Sequence, residues 1–146
     1  MQLTKAQRAF LEKRRVAHMA TADSRGRPHV IPICYVCADS CLYSVLDAKP
    51  KRVDATNLKR VLNIQENPRV AVVVDEYDED WTRLAYVLLH GTARVLSGGE
   101  EHARALRLLR EKYPQYRAMQ LEGCPVIQIT IERAVSWASA ASELVS

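Results

Sequence analysis

Residues Leu42–Asn67 read LYSVLDAKPKRVDATNLKRVLNIQEN, and the fold turns on how this stretch changes period. Leu42 to Leu46 alternate as a short strand, Pro50 breaks it, and an amphipathic helix starts near Thr56. Between strand and helix lie Lys49, Lys51 and Arg52. A helix start leaves backbone N–H groups unsatisfied, and fixed positive charge around them makes an anion cradle. The turn is therefore expected to hold the phosphate of a cofactor. Leu58, Val61, Leu62 and Gln65 mark the helix, which stops at Asn67-Pro68 because a residue before proline is pushed out of the helical region.

Upstream, Thr4-Lys5-Ala6-Gln7 reads as a capping box, opening a short helix on which Leu3, Ala6, Phe10 and Leu11 share a face. That helix is expected to lie as a lid over one end of a barrel. Val16–Ala22 is the first strand, Asp23-Ser24-Arg25-Gly26 a turn with glycine at positive φ, and Pro28–Val36 the second strand. Pro32 removes a ladder donor, so it belongs at an edge or a bulge. A turn at Ala38-Asp39-Ser40 leads to the third strand, Cys41–Leu46.

Downstream, Arg69–Tyr77 is almost continuously apolar and reads as a strand buried on both faces. DEYDED (residues 75–80) is an acidic loop running into Trp81, and Arg83–Ser97 is a long strand with Gly91 as its bulge or bend. Ser97-Gly98-Gly99-Glu100 reads as a second capping box. Its helix carries His102, Leu106, Leu109 and Tyr113 on one face and ends before Pro114; Val126–Ile131 and Val135–Ala138 are the last strands. Most strands are joined by turns too short for parallel crossovers. The pattern predicts a mainly β domain, a six- to seven-stranded antiparallel split barrel with peripheral helices, rather than a doubly wound sheet.

The 146 residues are expected to make one domain with a core that needs no staples. The apolar share of 48% and charged share of 26% are globular values. Of the 21 basic residues 15 are arginine, a fork suited to phosphates and carboxylates, but a net charge of +4 is low for a dedicated nucleic-acid binder. No run approaches the roughly 18 apolar residues of a membrane span. The N-terminus MQLTKAQRAFLEKRR lacks the apolar core of an export signal, so the four cysteines are expected to be reduced thiols in a cytoplasm.

The usual catalytic constellations are missing. Cys34-x-x-Cys37 with Cys41 invites a zinc or redox reading, but on a regular strand Cys34 and Cys37 point to opposite faces. The acidic loop has neither the glycine nor the spacing of a calcium loop and reads as a solvated turn. No phosphate-binding glycine motif, Ser-His-Asp set or HExxH occurs, and His18 and His102 read as structural. Neither a catalytic side chain nor a metal site is expected, so any chemistry would reside in a bound cofactor.

Taken together, RGRPHVIPICYV, CLYSVLDAKPKR, LKRVLNIQENPRVAVVVDEYDEDW and HGTARV resemble, in this order and spacing, the split β-barrel proteins related to pyridoxamine 5′-phosphate oxidase, which bind FMN or a deazaflavin. The KPKR turn and the YDEDW segment look most like the branch dependent on the deazaflavin coenzyme F420. The resemblance spans residues 4 to 138. It implies that His29, Val30, Ile31, Pro32 and Ile33 line the ring and that Tyr43, Ser44 and Val45 flank the ring and ribityl chain. Lys49, Lys51 and Arg52 would take the phosphate, with help from Arg60. Trp81 would lie near the same site, supplied by the partner of a homodimer, because family sites form at the subunit interface. The implied activity is hydride transfer between coenzyme F420 or FMN and a small organic substrate. The family's pyridoxal-phosphate contacts are not evident in ASAASELVS, which speaks against vitamin B6 oxidation. The rival readings are a non-catalytic cofactor carrier and a nucleic-acid-binding barrel using Arg14, Arg15, Arg25 and Arg27.

Overall fold

A computed structural model describes residues 2–47, 58–142 and 144. Helix α1 (Lys5–Lys13) follows the expected capping box: the Gln7 N–H donates to Thr4 Oγ1 and the Thr4 N–H to Gln7 Oε1, each at 3.0 Å. The strands are β1 (Ala17–Ala22), β2 (Pro28–Ile33), β3 (Val36–Ala38), β4 (Cys41–Val45), β5 (Arg69–Glu76), β6 (Ala85–Leu96) and β7 (Val126–Ala138). Helices α2 (Lys59–Glu66) and α3 (Glu100–Lys112) lie between β4 and β5 and between β6 and β7.

All pairings are antiparallel, in the order β2-β1-β5-β6-β7-β4-β3. β2 and β3 sit at opposite edges of that order, yet only Cys34 and Tyr35 join them. A sheet whose two edges are two residues apart in the chain must curl round on itself, and no ladder joins β2 to β3. That is a split barrel. Met19, Leu42, Val72, Val87, Leu89 and Ile129 fill its interior. α1 packs Leu3, Phe10 and Leu11 into this core, and α2 adds Val61 and Ile64.

Seven strands were expected and seven form, through two compensating differences. The stretch Pro28–Val36 is broken, because the hydroxyl of Tyr113 at the end of α3 accepts from the Tyr35 N–H at 3.0 Å and takes it out of any ladder. The last two expected strands are one. A bulge at the His90/Gly91 register makes Glu132 an extra residue on β7. It turns Ile127, Ile129 and Ile131 inward but Arg133, Val135 and Trp137 outward, so a single strand reads in sequence as two. Gly91 is required there: a Cβ would stand 2.1 Å from the Thr130 carbonyl oxygen.

Three further expectations are corrected. The second capping box does not form, since the N-cap of α3 is Gly99 at φ 96° with no side-chain cap. The buried face of α2 is Val61, Asn63 and Ile64, while Leu62 and Gln65 face outward, because the helix starts after Leu58 and its phase follows the barrel mouth. β5 buries Val70, Val72 and Val74 fully but leaves Ala71 and Val73 only half-covered. The start of the second helix near Thr56 lies outside the described residues.

Candidate functional site

At one end of the barrel the turn after β1 is built on Asp23. Its carboxylate accepts from the Arg25 and Arg27 N–H groups and from Arg27 Nε at 2.6 Å, while Gly26 takes φ 79° as expected. These bonds, led by the Arg27 N–H, hold its pKa down at about 2. Lys59 Nζ stands 3.8 Å from the same carboxylate, fixing the start of α2 beside the turn. One turn on, Asn63 Nδ2 donates to Thr21 Oγ1 at 3.0 Å. His29, half-buried, is level with Thr21 on β2.

Arg60 lies on the same helix, half-buried, with its Nε buried and without a hydrogen-bond partner. Burial pushes the guanidinium pKa down, and the nearby Asp47 carboxylate opposes that shift. The stretch just after β4 therefore lies near Arg60 on α2. Lys49, Lys51 and Arg52 lie outside the described residues.

The remaining expected residues divide between the sheet's edges and ends. On β2, an edge strand as Pro32 required, Ile31 and Ile33 turn inward while Val30 and Pro32 turn outward. On β4, Tyr43, Ser44 and Val45 are all buried; Tyr43 and Val45 pack beneath α3, and the Tyr43 hydroxyl donates to Glu101 Oε2 at 2.7 Å. Trp81 is elsewhere. It is 68% exposed, in a short turn (Trp81–Arg83) beyond β5, with its indole N–H donating to the Tyr77 hydroxyl at 3.3 Å. Asp80 caps that turn, and the Ala141 N–H donates to Thr82 O at 2.8 Å.

Register places Trp81 far from Arg60 within one chain. Ala20 pairs with Ala71, so Thr21, beside α2, is level with Val70, whereas Trp81 follows Glu76. Six strand residues span about 20 Å. One chain does not bring the two residues to one site.

Between these ends runs an uncovered outer face. Paired residues share a face, so Val30, Ala20, Ala71, Val73, Leu88 and Val135 form one apolar band, with His18, His90 and Arg133 on the same face. Sequence reading missed its far end, where Tyr86 and Trp137 stack with ring centroids 6.1 Å apart, both exposed. The signal was available only once the bulge on β7 was known.

All four cysteines are free, and Cys34 packs toward α3 while Cys37 packs toward the barrel core, the opposite faces expected. Among the described residues no group of three potential metal ligands assembles and no helix is long and apolar enough to cross a membrane. His102 is buried with Nε2 2.7 Å from Cys124 O, a structural role, whereas His18 is exposed on the open face.

Comparison with known proteins places this architecture. The sequence profile described as pyridoxamine 5′-phosphate oxidase matches residues 3–138. Among curated proteins none matches in sequence. Many solved structures share the fold, and three illustrate it. A conserved hypothetical protein of Mycobacterium tuberculosis has TM-score 0.74 at 20% identity, covering 93% of this chain and 85% of that one. A heme storage protein of Vibrio cholerae has TM-score 0.71 at 16% identity, covering 94% and 95%. An FAD-binding protein of Mesorhizobium loti has TM-score 0.66 at 23% identity, covering 93% and 95%.

Proposed function

Given that the chain belongs to the pyridoxamine 5′-phosphate oxidase family, we infer that it is an oxidoreductase that binds a phosphate-bearing flavin-type cofactor between two copies of itself. The cofactor is the deazaflavin coenzyme F420, with FMN as the alternative, and the substrate is a small organic molecule. The observation that carries this reading is Arg60: a half-buried guanidinium whose Nε has no partner, at the helix that follows the basic turn. Leaving a buried donor unmade costs about 1–3 kcal/mol, so a cation kept in this state suits an anion that arrives later.

When bound, such a cofactor would supply two-electron hydride chemistry. The protein's part is to bind, orient and exclude water. Arg60 would hold the phosphate, together with Lys49, Lys51 and Arg52 of the turn. β2 offers an unpaired backbone edge from His29 to Ile33, and buried Tyr43, Ser44 and Val45 make β4 a rigid support. Trp81 would come from the partner across the apolar band, because its own Arg60 is about 20 Å away along the strands. Two copies facing each other through these bands would also cover Tyr86 and Trp137.

Ring-fluorescence titration of the protein with coenzyme F420 and with FMN tests the reading, in the parent and in Lys49→Ala/Lys51→Ala. Micromolar binding of one ligand, weakened at least tenfold by the double change, is the expected outcome. Absence of binding by both ligands would overturn it. Heme is a second reading, favoured by the Vibrio cholerae neighbour and by His18 and His90, which both lie on the outer face. Hemin in the same titration, with His18→Ala and His90→Ala, separates the two.

A further inference from the structure

Among the described residues, two buried side-chain polar atoms lack a hydrogen-bond partner: Arg60 Nε and Asn63 Oδ1. One is a donor and the other an acceptor. They are three residues apart on α2, a spacing that sets their Cβ atoms about 5–6 Å from each other on one helix flank. Buried polar atoms are almost always satisfied, so a complementary pair of exceptions on one flank calls for a common explanation.

Asn63 is fully buried, and its amide is oriented by the Nδ2 bond to Thr21 Oγ1 on β1. Its Oδ1 is thus held by the barrel wall rather than free to turn toward solvent. Arg60 is the adaptable partner, with a long side chain and a guanidinium that still carries an unused Nε–H. We propose that Asn63 is a positioning residue for Arg60: when an anion engages the terminal guanidinium nitrogens, Asn63 Oδ1 accepts the Arg60 Nε–H and fixes the plane of the fork. With Nε held from behind, both terminal nitrogens face one phosphate in the bidentate manner that distinguishes arginine from lysine. Asp47, the nearby carboxylate, would otherwise compete for those nitrogens. The proposal rests on the reading of Arg60 as a phosphate-holding residue and adds what aims it.

The test compares ligands that differ in the phosphate. Dissociation constants are measured for FMN against riboflavin, and for coenzyme F420 against its phosphate-free ring and ribityl core. The proteins are the parent, Asn63→Leu, Arg60→Lys and the double variant. The parent should prefer the phosphate-bearing member of whichever pair binds. Asn63→Leu should reduce that preference about tenfold, the worth of one charge-assisted bond, with the phosphate-free ligand unaffected. In the Arg60→Lys background the same change should do nothing, because lysine has no Nε–H to aim. A parent without preference overturns the phosphate reading itself. A parent with preference that Asn63→Leu retains, or loses equally in both backgrounds, overturns the role of Asn63 alone. Should Asn63→Leu fail to fold, nitrogen-15 NMR of the parent decides. Ligand should slow solvent exchange of the Arg60 Nε–H, assigned by its loss in Arg60→Lys, and unchanged exchange overturns the proposal.

Discussion

The outer face of this sheet has two halves that the same strands treat differently. Beyond Gly91, β6, β7 and β4 turn Leu96, Val126, Tyr43 and Val45 outward, and α3 covers them with Ala105, Leu106 and Leu109. Before Gly91 the outward residues of β1, β5, β6 and β7 mix apolar side chains such as Ala71, Val73, Leu88 and Val135 with His18, Asp75, His90 and Arg133, and among the described residues no helix covers them. The covered half is finished by its own polypeptide; the open half stays partly exposed among the described residues. On the covered side Arg94 and Tyr43 both bond Glu101, closing the rim of α3, whereas the open side ends in stacked, exposed rings.

The boundary itself gives the largest expected effect. Gly91→Val should drive a side chain into the Thr130 carbonyl and part β6 from β7, lowering stability by at least about 3 kcal/mol in urea unfolding. In the covered half, Leu109→Ala should cost about 2–5 kcal/mol, independent of protein concentration, because the cavity forms inside one chain. The open half should answer differently. Leu88→Arg should leave the unfolding free energy of the isolated subunit within about 1 kcal/mol but convert a dimer to a monomer in sedimentation analysis. A stability loss like that of Leu109→Ala would show that the band packs within the chain after all.

The smallest effect is an acid one. The Asp23 pKa is lowered in the folded state, so its contribution is fully present above the unfolded value and is lost as pH falls through the folded one. Parent and Asp23→Asn should therefore differ in stability at neutral pH and converge between 3.8 and about 2. The convergence should be followed in pH-jump unfolding experiments.

Local rules carried much of this architecture into view. The Thr4 capping box, the glycine of the Asp23 turn, the edge position of Pro32 and the stop at Asn67-Pro68 each depend on chemistry within a few residues. The strand errors depend on contacts distant in sequence. Tyr113 breaks the second strand from 78 residues away, and the bulge at Gly91 decides which face Trp137 joins. The site divides in the same way. A basic turn beside a helix is visible as a pattern, and Trp81 as an aromatic after an acidic loop. The partnerless Oδ1 of Asn63 gives no sequence signal, because an asparagine in a helix looks the same whether or not the barrel wall satisfies it.

Mixing two damaged proteins tests most directly whether the open half is where two copies complete one site. Arg60→Ala and Trp81→Ala should each weaken cofactor binding when alone. After the two are mixed and allowed to exchange subunits, a mixed dimer pairs the intact Arg60 of one copy with the intact Trp81 of the other. About a quarter of all sites should then regain parental affinity, the share expected for random pairing in a symmetric dimer. Mixing that restores no high-affinity sites, although each variant alone is impaired, would contradict a site shared between subunits.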